Sequence, residues 1–390
     1  MSRAALGRRF GAFALVLPLL AFLLVFFVWP LVTILSEAVS DPSVSRTLPR
    51  TVEAIRAWDR ESLPSEEVGA ALVEDLREST DDQALGDVVR RLNSAKSGFR
   101  TLMARTRSAV EETAGPVDLV AVDRRWGDVA FWTAIANAAS PYTDRNLLAA
   151  VDLERDAAGA IRRVPPSESA NLTILTRTFA IAGSVTGLCI LLGLPYAMLV
   201  ASVSGWMRSA LLAAVLLPLW TSILVRTAAW YILLQDQGLV NDALRAVGIG
   251  AFPLIFNRAG VVIAMTHVLL PFMVLPIYSV LLSIPRNLMP AAASLGANPV
   301  RAFLRVLLPL TLRGVASGAL LVFMSAIGYY ITPALIGGPR DQMISLVIAF
   351  YATGTANWGM AAALGIVLLV ITLALYAVYG RLSATGTARI

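Results

Sequence analysis

The segment PAAASLGANPVRAFLRVLLPL, residues 290–310, lies between two long apolar stretches and decides how the rest of the chain is interpreted. It is too short and too polar to cross a bilayer, yet its residues favour helix. Gly296 can end one helix in the left-handed conformation. Asn298 followed by Pro299 is a strong signal for the start of another helix. The sequence therefore predicts two short helices joined by a glycine elbow, and we call residues 286–309 the hairpin.

The second helix of the hairpin is predicted to have two different faces. Its apolar side chains fall on one side, and they are Phe303, Leu304, Leu307 and Leu308. Arg301 and Arg305 are four residues apart and therefore share another face. The alanines of the first helix leave a low ridge, which the groove of another protein could approach closely. We therefore expect the hairpin to be a contact surface.

The apolar stretches around the hairpin are typical of a membrane protein. The chain is 57% hydrophobic and 15% charged, whereas about a quarter of the residues in a soluble domain are charged. A helix needs roughly 20 mostly apolar residues to cross a bilayer. Six stretches qualify, at about 11–35, 174–201, 209–234, 259–283, 313–336 and 359–380. The first has an apolar core longer than that of a signal peptide, so an uncleaved span is favoured.

Positive charges indicate how these six spans are oriented. Arginines follow every second span and also precede the first: Arg3, Arg8, Arg9, Arg208, Arg286, Arg301, Arg305, Arg313, Arg381 and Arg389. The opposite short loops hold fewer, namely Arg245, Arg258 and Arg340, with Arg177 at a span edge. Because positive loops stay in the cytoplasm, both termini and the hairpin are predicted to be cytoplasmic.

An acidic block follows the first span. Residues 37–170 contain 17 Lys+Arg and 23 Asp+Glu, a net charge of −6, whereas the remainder contains 15 and 3, a net charge of +12. The basic excess therefore belongs to the membrane part, where it sets topology, and nucleic-acid binding is disfavoured. By the orientation above, this block is an external insertion. We expect either a solvated surface or a docking surface for an external partner, and we find no catalytic signature in it.

The insertion is predicted to be mainly helical with a small core of its own. Ser65 is a plausible N-cap, followed by two acids in the first turn. Three apolar stripes at helical spacing follow: Val68, Leu72 and Leu76; Leu85, Val88, Val89 and Leu92; and Phe99, Leu102, Met103 and Val110. The stretch 150–165 is predicted to be a β-hairpin that turns at Ala158 and Gly159.

A few polar and aromatic side chains in the spans are candidates for a substrate pathway. They are Arg226, Trp230, Tyr231, His267, Tyr329 and Tyr330. A charge such as Arg226 is costly in the bilayer, so it faces either a water-filled pathway or neighbouring carbonyls. The aromatic side chains could stack on a cationic substrate or serve only in helix packing. His267 is more typical of a structural group than of a proton relay, and no metal site is expected because no second ligand is suitably spaced.

The hairpin resembles a cytoplasmic signature of the permease subunits of bacterial ABC importers. That signature reads Glu-Ala-Ala, three residues, Gly, nine residues, Ile, one residue, Leu-Pro. The residues that match it in type or in character are Ala291, Ala292, Gly296, Val306, Leu308 and Pro309. Pro290 replaces the glutamate, so a salt bridge from that position is lost, although a proline suits the start of a helix.

Two further stretches are similar to the spermidine/putrescine-type branch of these permeases. They are LPLWTSILVRTAAWYILLQDQGLVNDAL at 217–244 and LLPFMVLPIYSVLLSIP at 269–285. The resemblance implies an all-α membrane protein with six transmembrane helices of the type I ABC importer permease fold. It also implies a helical external insertion between the first two helices. The expected domains are 1–36 (first span), 37–173 (insertion), 174–381 (five-helix permease core) and 382–390 (short cytoplasmic tail).

The resemblance also implies partners. In this family the hairpin sits in a groove of a dimer of separate ATP-binding subunits, which bind ATP and Mg. A second permease subunit and a periplasmic substrate-binding protein complete the importer. The residues expected to couple the ATPase are Ala291, Ala292, Ser294, Leu295, Gly296, Arg301, Arg305 and Pro309. The chain lacks a phosphate-binding G-x-x-x-x-G-K-[ST] loop, so we expect it to be no enzyme and to bind no cofactor.

Other functions are weighed against import of a small, polyamine-like solute. A signalling or mechanotransmitting membrane protein with an external sensor domain is the main alternative. A signalling protein is disfavoured because only about ten residues follow the last span, and mechanotransmitting proteins usually have four spans. A secondary transporter would need coupling-ion residues in broken helices, which the sequence does not clearly offer. An intramembrane enzyme would need a nucleophile–base pair or paired carboxylates, and we find neither.

Overall fold

Long apolar helices and an insertion of shorter amphipathic helices make up the computed structural model, which describes residues 15–113, 115–155, 160–165 and 169–385. The chain divides into two units, Met1–Leu147 and Leu148–Ile390. The division falls inside the range predicted for the insertion. The first unit therefore contains the first span and most of the insertion, and the second contains the remaining spans.

The first unit begins with a long apolar helix and continues with short ones. Helix α1, Leu15–Ser36, includes a π-helical turn at Leu24–Val28. The helices that follow it are α2 Ser43–Thr47, α3 Pro49–Ile55, α4 Glu66–Glu78, α5 Asp82–Ala95, α6 Phe99–Glu112, α7 Leu119–Val122, a 3-10 turn at Arg124–Gly127, α8 Val129–Ala138 and α9 Arg145–Ala150.

The core of the insertion forms along the stripes that the sequence predicts. Residues on α4, α5 and α6 turn their apolar faces inward, where α8 packs against them. The buried members of the three stripes are Val68, Leu72, Leu76, Leu85, Val88, Leu92, Phe99, Leu102, Met103 and Val110, while Val89 is partly buried. Helix α4 starts after Ser65 as predicted, but the Ser65 side chain makes no capping hydrogen bond. The next helix, α5, does have a side-chain cap, because the Asp81 carboxylate accepts hydrogen bonds from the N–H groups of Gln83 and Ala84.

Two buried carboxylates tie the insertion together. Asp75 accepts hydrogen bonds from the backbone N–H groups of Arg50 and Thr51 at 3.2 and 2.8 Å. It thereby satisfies donors at the start of α3 that have no partner within that helix. Asp123 accepts from the guanidinium groups of Arg125 and Arg105. The hydrogen bond from Arg125 is the main reason why the pKa of the Asp123 carboxyl lies well below its usual range.

The predicted β-hairpin is confirmed at its strands. Strand β1, Leu153–Arg155, pairs antiparallel with β2, Ile161–Arg163, so that Leu153 lies opposite Arg163. The predicted turn residues Ala158 and Gly159 lie outside the described residues. The carboxylate of Asp152, just before β1, accepts from the N–H groups of Asn171 and Leu172 at 3.1 and 2.9 Å. This short sheet therefore leads directly into the second span.

The second unit is a bundle of apolar helices. Its helices are α10 Asn171–Ser202, α11 Gly205–Trp220, α12 Ile223–Leu233, α13 Leu239–Ala246, α14 Arg258–Ser283, α15 Leu288–Ser294, α16 Pro299–Gly328, α17 Ile331–Ile336, α18 Ile344–Gly354 and α19 Trp358–Thr385. Five helices of the described residues (α1, α10, α14, α16 and α19) are individually long and apolar enough to cross a membrane. The pair α11 and α12 makes a sixth span if its two halves count as one.

Two predicted spans differ from the helices that form. The stretch 209–234 is not one straight helix, because α11 and α12 meet at a bend of 103°. Pro218 cannot donate a backbone hydrogen bond, and Thr221 and Ser222 favour helix ends over helix interiors, which explains a break at this point. The stretch 313–336 begins earlier than predicted, at Pro299, and its helix ends at Gly328. Residues after Tyr330 form the separate helix α17.

Helices α10, α14 and α16 form the centre of the bundle. Met273 of α14 is fully buried where the three helices cross. A Cβ at Gly193 of α10 would lie 2.7 Å from the Met273 Cγ, and a Cβ at Gly318 of α16 would lie 3.1 Å from the Met273 Cα. Glycines therefore let both neighbouring helices approach α14, which is a common device between membrane helices.

We expect Gly318→Leu to destabilise this crossing strongly. The new side chain would meet the backbone of Met273, which cannot move without separating α14 from α16. Overpacking of this kind costs about 1–3 kcal/mol or more. The check is a thermal scan with a thiol-reactive dye, because Cys189, the chain's single cysteine, is buried in this unit and reacts only on unfolding. Gly183→Leu is the control, since no atom of the described residues lies within 4 Å of that position. Equal unfolding temperatures for the two variants would contradict the prediction.

Candidate functional site

The elbow of the hairpin is built from backbone hydrogen bonds around Gly296. Gly296 has φ = +84°, in the left-handed region that favours glycine. Its N–H donates to the Ala293 carbonyl at 2.9 Å, and the Ala297 N–H donates to the Ala292 carbonyl at 3.0 Å. These two bonds form a Schellman motif, which closes the end of α15. The glycine elbow predicted from the sequence is therefore confirmed.

The second helix of the hairpin begins as predicted and runs without a break into a membrane span. The Asn298 side chain accepts from the Arg301 N–H at 2.8 Å, with Pro299 at the first helical position. A π-helical turn follows at Phe303–Leu307. Pro309 has no N–H to donate to the Arg305 carbonyl, which accounts for the shifted register at this turn. Because the helix continues to Gly328, a displacement of the elbow would be transmitted into the span.

The hairpin surface is exposed and largely apolar. Seven of the eight residues predicted to couple an ATPase are exposed, namely Ala291, Ser294, Leu295, Gly296, Arg301, Arg305 and Pro309, while Ala292 is half-buried. Leu295, at the elbow, is 89% exposed, and Val300 is 65% exposed. Large apolar side chains this exposed at a tight turn are typical of a surface that another protein covers. Their role in coupling remains a prediction.

The bend in the third span positions Arg226. This residue lies in the first turn of α12, and one guanidinium NH2 group donates to the Thr221 carbonyl at 2.7 Å, across the bend. Its Nε is buried and makes no hydrogen bond within the described residues. Arg226 therefore ties together the two halves of the span, which is the structural role that the sequence left open. The unpaired Nε leaves part of its donor capacity for a further group.

Three of the other predicted pathway residues lie around Arg226. The Trp230 Nε1 donates to the His267 Nδ1 at 3.2 Å, and the two rings are 5.4 Å apart at an edge-on angle. Arg226 is close enough to interact electrostatically with both His267 and Tyr329. The structure therefore brings Arg226, Trp230, His267 and Tyr329 into one neighbourhood, formed by α12, α14 and the end of α16.

The remaining two aromatic candidates have other surroundings. The ring of Tyr231 packs edge-on against Phe256, at 6.2 Å between centroids. Tyr330 is 43% exposed at the start of α17. A contact that the sequence did not indicate joins these helices: the Thr227 and Thr332 hydroxyls are 3.2 Å apart and buried. This hydrogen bond links α12 to α17 next to the Arg226 neighbourhood.

A charged group that the sequence analysis missed lies at the other end of the bundle from the hairpin. Asp341, in the connection between α17 and α18, is 7% exposed and accepts from the Arg258 Nε at 3.1 Å. Arg177 of α10 donates to the carbonyl of Arg340. Arg177 also interacts electrostatically with Asp341 and Arg258. We call these four residues the Asp341 cluster, and it unites three of the four arginines that stood apart in the topology prediction.

Close backbone contacts hold the Asp341 cluster in place. A Cβ at Gly338 would lie 2.6 Å from the Phe256 carbonyl oxygen, and one at Gly260 would lie 2.1 Å from that of Leu254. The Phe256 N–H donates to the Ile336 carbonyl at 2.7 Å. The segments before α14 and after α17 therefore contact each other along their backbones, and this contact places Asp341 within hydrogen-bonding distance of Arg258.

These features are those expected of a membrane permease: apolar helices long enough to span a bilayer, an exposed hairpin continuous with one of them, and a polar neighbourhood at a bent span. Residues 190–385 match the family described as the inner membrane component of binding-protein-dependent transport systems. The chain belongs to this family and is a permease subunit of an ABC importer.

Individual relatives each match a little more than half of the chain. The spermidine/putrescine transport system permease protein PotB of Haemophilus influenzae is 35% identical over 210 residues, which are 53% of this chain and 73% of the relative. PotB of Escherichia coli is 32% identical over 212 residues, 54% of this chain and 77% of the relative. The molybdenum transport system permease protein ModB of Mycobacterium bovis is 31% identical over 223 residues, 57% and 82% of the two chains.

A solved structure also resembles part of the chain. A bacterial alginate ABC transporter in complex with an alginate pentasaccharide-bound periplasmic protein aligns with a TM-score of 0.44 and 20% identity. The alignment covers 55% of this chain and 78% of that one. The family match does not include residues 37–170, so it does not assign a function to the insertion.

Proposed function

We propose that this chain moves a small polyamine of the spermidine or putrescine type across the inner membrane, driven by ATP hydrolysis in a separate subunit. The observation that carries the proposal is the similarity to two spermidine/putrescine permeases over about three quarters of their length. The family match at residues 190–385 includes the bent third span and the hairpin. Both features belong to the second unit.

The hairpin is the proposed point of coupling. ATP binding can move the spans only if the ATPase makes different contacts with the permease in its two states. The elbow is stiffened by the Schellman motif at Gly296, and its second helix is continuous with α16 to Gly328. A push on this rigid lever would tilt α16 against α14, and the spans would then open alternately to the two sides.

The proposed assembly is supported by the family to which the chain belongs. The hairpin faces the cytoplasm together with both termini, and the insertion is external. A dimer of ATP-binding subunits, which holds ATP and Mg, seats the hairpin. A second permease subunit, identical or different, completes the pathway, and an external binding protein delivers the solute. The Arg226 neighbourhood, with Trp230 and His267, lines or positions the pathway inside the membrane.

The test is uptake into liposomes. We expect vesicles with this chain, its partner permease, the ATPase and the external binding protein to accumulate labelled putrescine or spermidine at least tenfold faster with ATP than with ADP. Excess unlabelled polyamine should suppress the uptake, whereas molybdate should not. ATP-dependent uptake of molybdate without polyamine uptake would instead place the chain with its ModB relative and would overturn the polyamine assignment.

A further inference from the structure

A cleft of about 750 Å³ opens on the insertion. One wall is α4 with the residues just before it, and the opposite wall is the segment 115–120, which leads into α7. Sites for small ligands usually measure about 300–1,000 Å³ and combine apolar walls with a few polar groups. The cleft lies within a unit that has its own buried core. It therefore has the size and the support of a ligand site.

The floor of the cleft is apolar and rigid. Val73, Leu119, Trp126 and Trp132 line it, and each is at least nine-tenths buried. The Trp126 Nε1 donates to the Thr106 hydroxyl at 2.9 Å, and the Trp132 Nε1 donates to the Trp126 carbonyl at 2.8 Å. Both indole donors are therefore used inside the protein, and the small surface that the floor presents to the cleft is carbon. Leu63 and Val120, each 48% exposed, extend this apolar surface. Such a floor suits a chain of methylene groups.

The rim of the cleft is acidic. It carries the carboxylates of Glu66, Glu74 and Asp118 and a single cation, Arg77, so its net charge is −2. Arg77 is committed to the opposite wall, because its guanidinium donates to the carbonyls of Thr113 and Gly115 at 3.0 Å each. Arg77 thus connects the two walls of the cleft, and the carboxylates are the charged groups that remain to contact a ligand.

The three carboxylates are not equally engaged. The Asp118 carboxylate caps α7 through its Oδ1, and Glu74 lies 3.6 Å from Arg50, in an exposed pair that is weak. Glu66 is exposed and forms no ion pair or hydrogen bond within the described residues. The cleft therefore offers one uncommitted carboxylate and two that retain free oxygens.

We propose that this cleft binds an aliphatic diamine or polyamine, with methylene groups on the tryptophan floor and ammonium groups on the rim carboxylates. The inference rests on the proposed function, because a permease for polyamines needs negative charge. The chain has three acids outside residues 37–170, Asp236, Asp242 and Asp341. Asp341 is paired with Arg258, and Asp242 is paired with Arg245, so Asp236 is the one of the three without an ion pair among the described residues. The insertion, at −6, therefore holds most of the negative charge with which this chain could attract a polycation.

The test measures binding of labelled putrescine and spermidine to the full-length chain in lipid nanodiscs. We expect Glu66→Gln and Asp118→Asn each to weaken binding about tenfold, which corresponds to about 1.4 kcal/mol. Both changes remove one charge and keep the shape, and asparagine still caps a helix. Ala70→Trp, on the α4 wall, should abolish binding by filling the cleft. Glu67→Gln is the matched control, because Glu67 shares the first turn of α4 but does not line the cleft.

The outcomes separate this proposal from the proposed function. Polyamine binding that responds to Glu66, Asp118 and Ala70 but not to Glu67 supports the cleft, even if liposomes take up no polyamine. Binding that is equal in all variants overturns the cleft, even if uptake succeeds. Binding of a basic peptide but of no free polyamine would also overturn it, and would make the cleft a protein-docking surface. The circular dichroism spectrum of each variant checks that the insertion remains folded.

Discussion

Gly296→Trp is expected to abolish ATP-dependent uptake and co-purification of the ATPase while leaving the chain inserted in the membrane. Apart from its chain neighbours, no atom of the described residues lies within 4 Å of a Cβ at this position, so the new ring would project from the elbow into the space proposed for the ATPase. The left-handed backbone adds a local strain of about 1–2 kcal/mol. Deletion of residues 291–296 should have the same effect, because it removes the end of α15 together with the elbow.

A second glycine in the chain provides a matched control. Gly248 has φ = +79° and ends helix α13 with the same pair of hydrogen bonds, from the N–H groups of Gly248 and Ile249 to the carbonyls of Arg245 and Leu244. It too has open space around its Cβ. Gly248→Trp therefore imposes the same strain and the same bulk, but between the third and fourth spans rather than at the hairpin.

Comparing these two variants separates the effect of bulk on the hairpin surface from the effect of backbone strain. We expect Gly248→Trp to retain the ATPase in pull-down experiments and to retain most of the uptake. Should Gly296→Trp still bind the ATPase and hydrolyse ATP at the normal rate in the presence of solute, the hairpin would not be the coupling element. Membrane extraction and the Cys189 dye assay show whether each variant is correctly folded.

The hairpin could be predicted in detail because its signals are local. Gly296, Asn298 and Pro299 each act on a backbone position within a few residues, so their effects do not depend on the rest of the fold. The amphipathic stripes of the insertion were predictable for the same reason, since helical spacing alone places Val68, Leu72 and Leu76 on one face. Hydropathy likewise located the spans.

The bend in the third span could not be predicted from hydropathy. Residues 209–234 are apolar throughout, and hydropathy does not register a change of direction at Thr221 and Ser222. The signals were present, in Pro218 and in two residues that favour helix ends, but proline also occurs inside unbroken helices such as α10, which contains Pro195. The hydrogen bond from Arg226 to the Thr221 carbonyl then closes the bend, and hydropathy does not register such a contact either.

In the candidate sites, too, the contacts that could not be predicted are those between residues far apart in the sequence. Trp230 and His267 were predicted as members of one pathway, but their hydrogen bond joins residues 37 positions apart. The Asp341 cluster joins residues 83 positions apart, and its arginines were considered only as exceptions to the topology rule. No spacing rule links a residue in one loop to a helix start that far away. Pairing of this kind becomes visible only when the helices are packed.

Asp341→Ala is expected to lower the thermal stability of the second unit markedly. Asp341 is the only carboxylate among the described residues that faces Arg258 in an ion pair, and its loss leaves the charges of Arg258 and Arg177 to repel each other. Arg258 is half exposed, so water screens part of the effect. Loss of a hydrogen bond between charged groups costs about 1.5–3 kcal/mol, which corresponds to a fall in unfolding temperature of about 3–10 °C.

A double-mutant cycle tests whether the pair itself is responsible. Arg258→Ala in the Asp341→Ala background should restore part of the lost stability, because it removes the unpaired cation. The control cycle uses Asp242 and Arg245, an exposed pair at 3.0 Å on one helix, for which a coupling below about 1 kcal/mol is expected. The Cys189 dye assay reports both cycles.

The size of the first coupling relative to the second decides the role of the Asp341 cluster. A coupling clearly larger than that of the surface pair means that Asp341 holds the start of α14 to the connection between α17 and α18. Equal couplings would mean that the backbone contacts at Gly338 and Gly260 suffice and that the charges add little. In the first case, Asp341→Ala should also change uptake more than Asp242→Ala does, because the cluster joins three segments at the end of the bundle opposite the hairpin. Those segments must move relative to one another if the spans open alternately to the two sides.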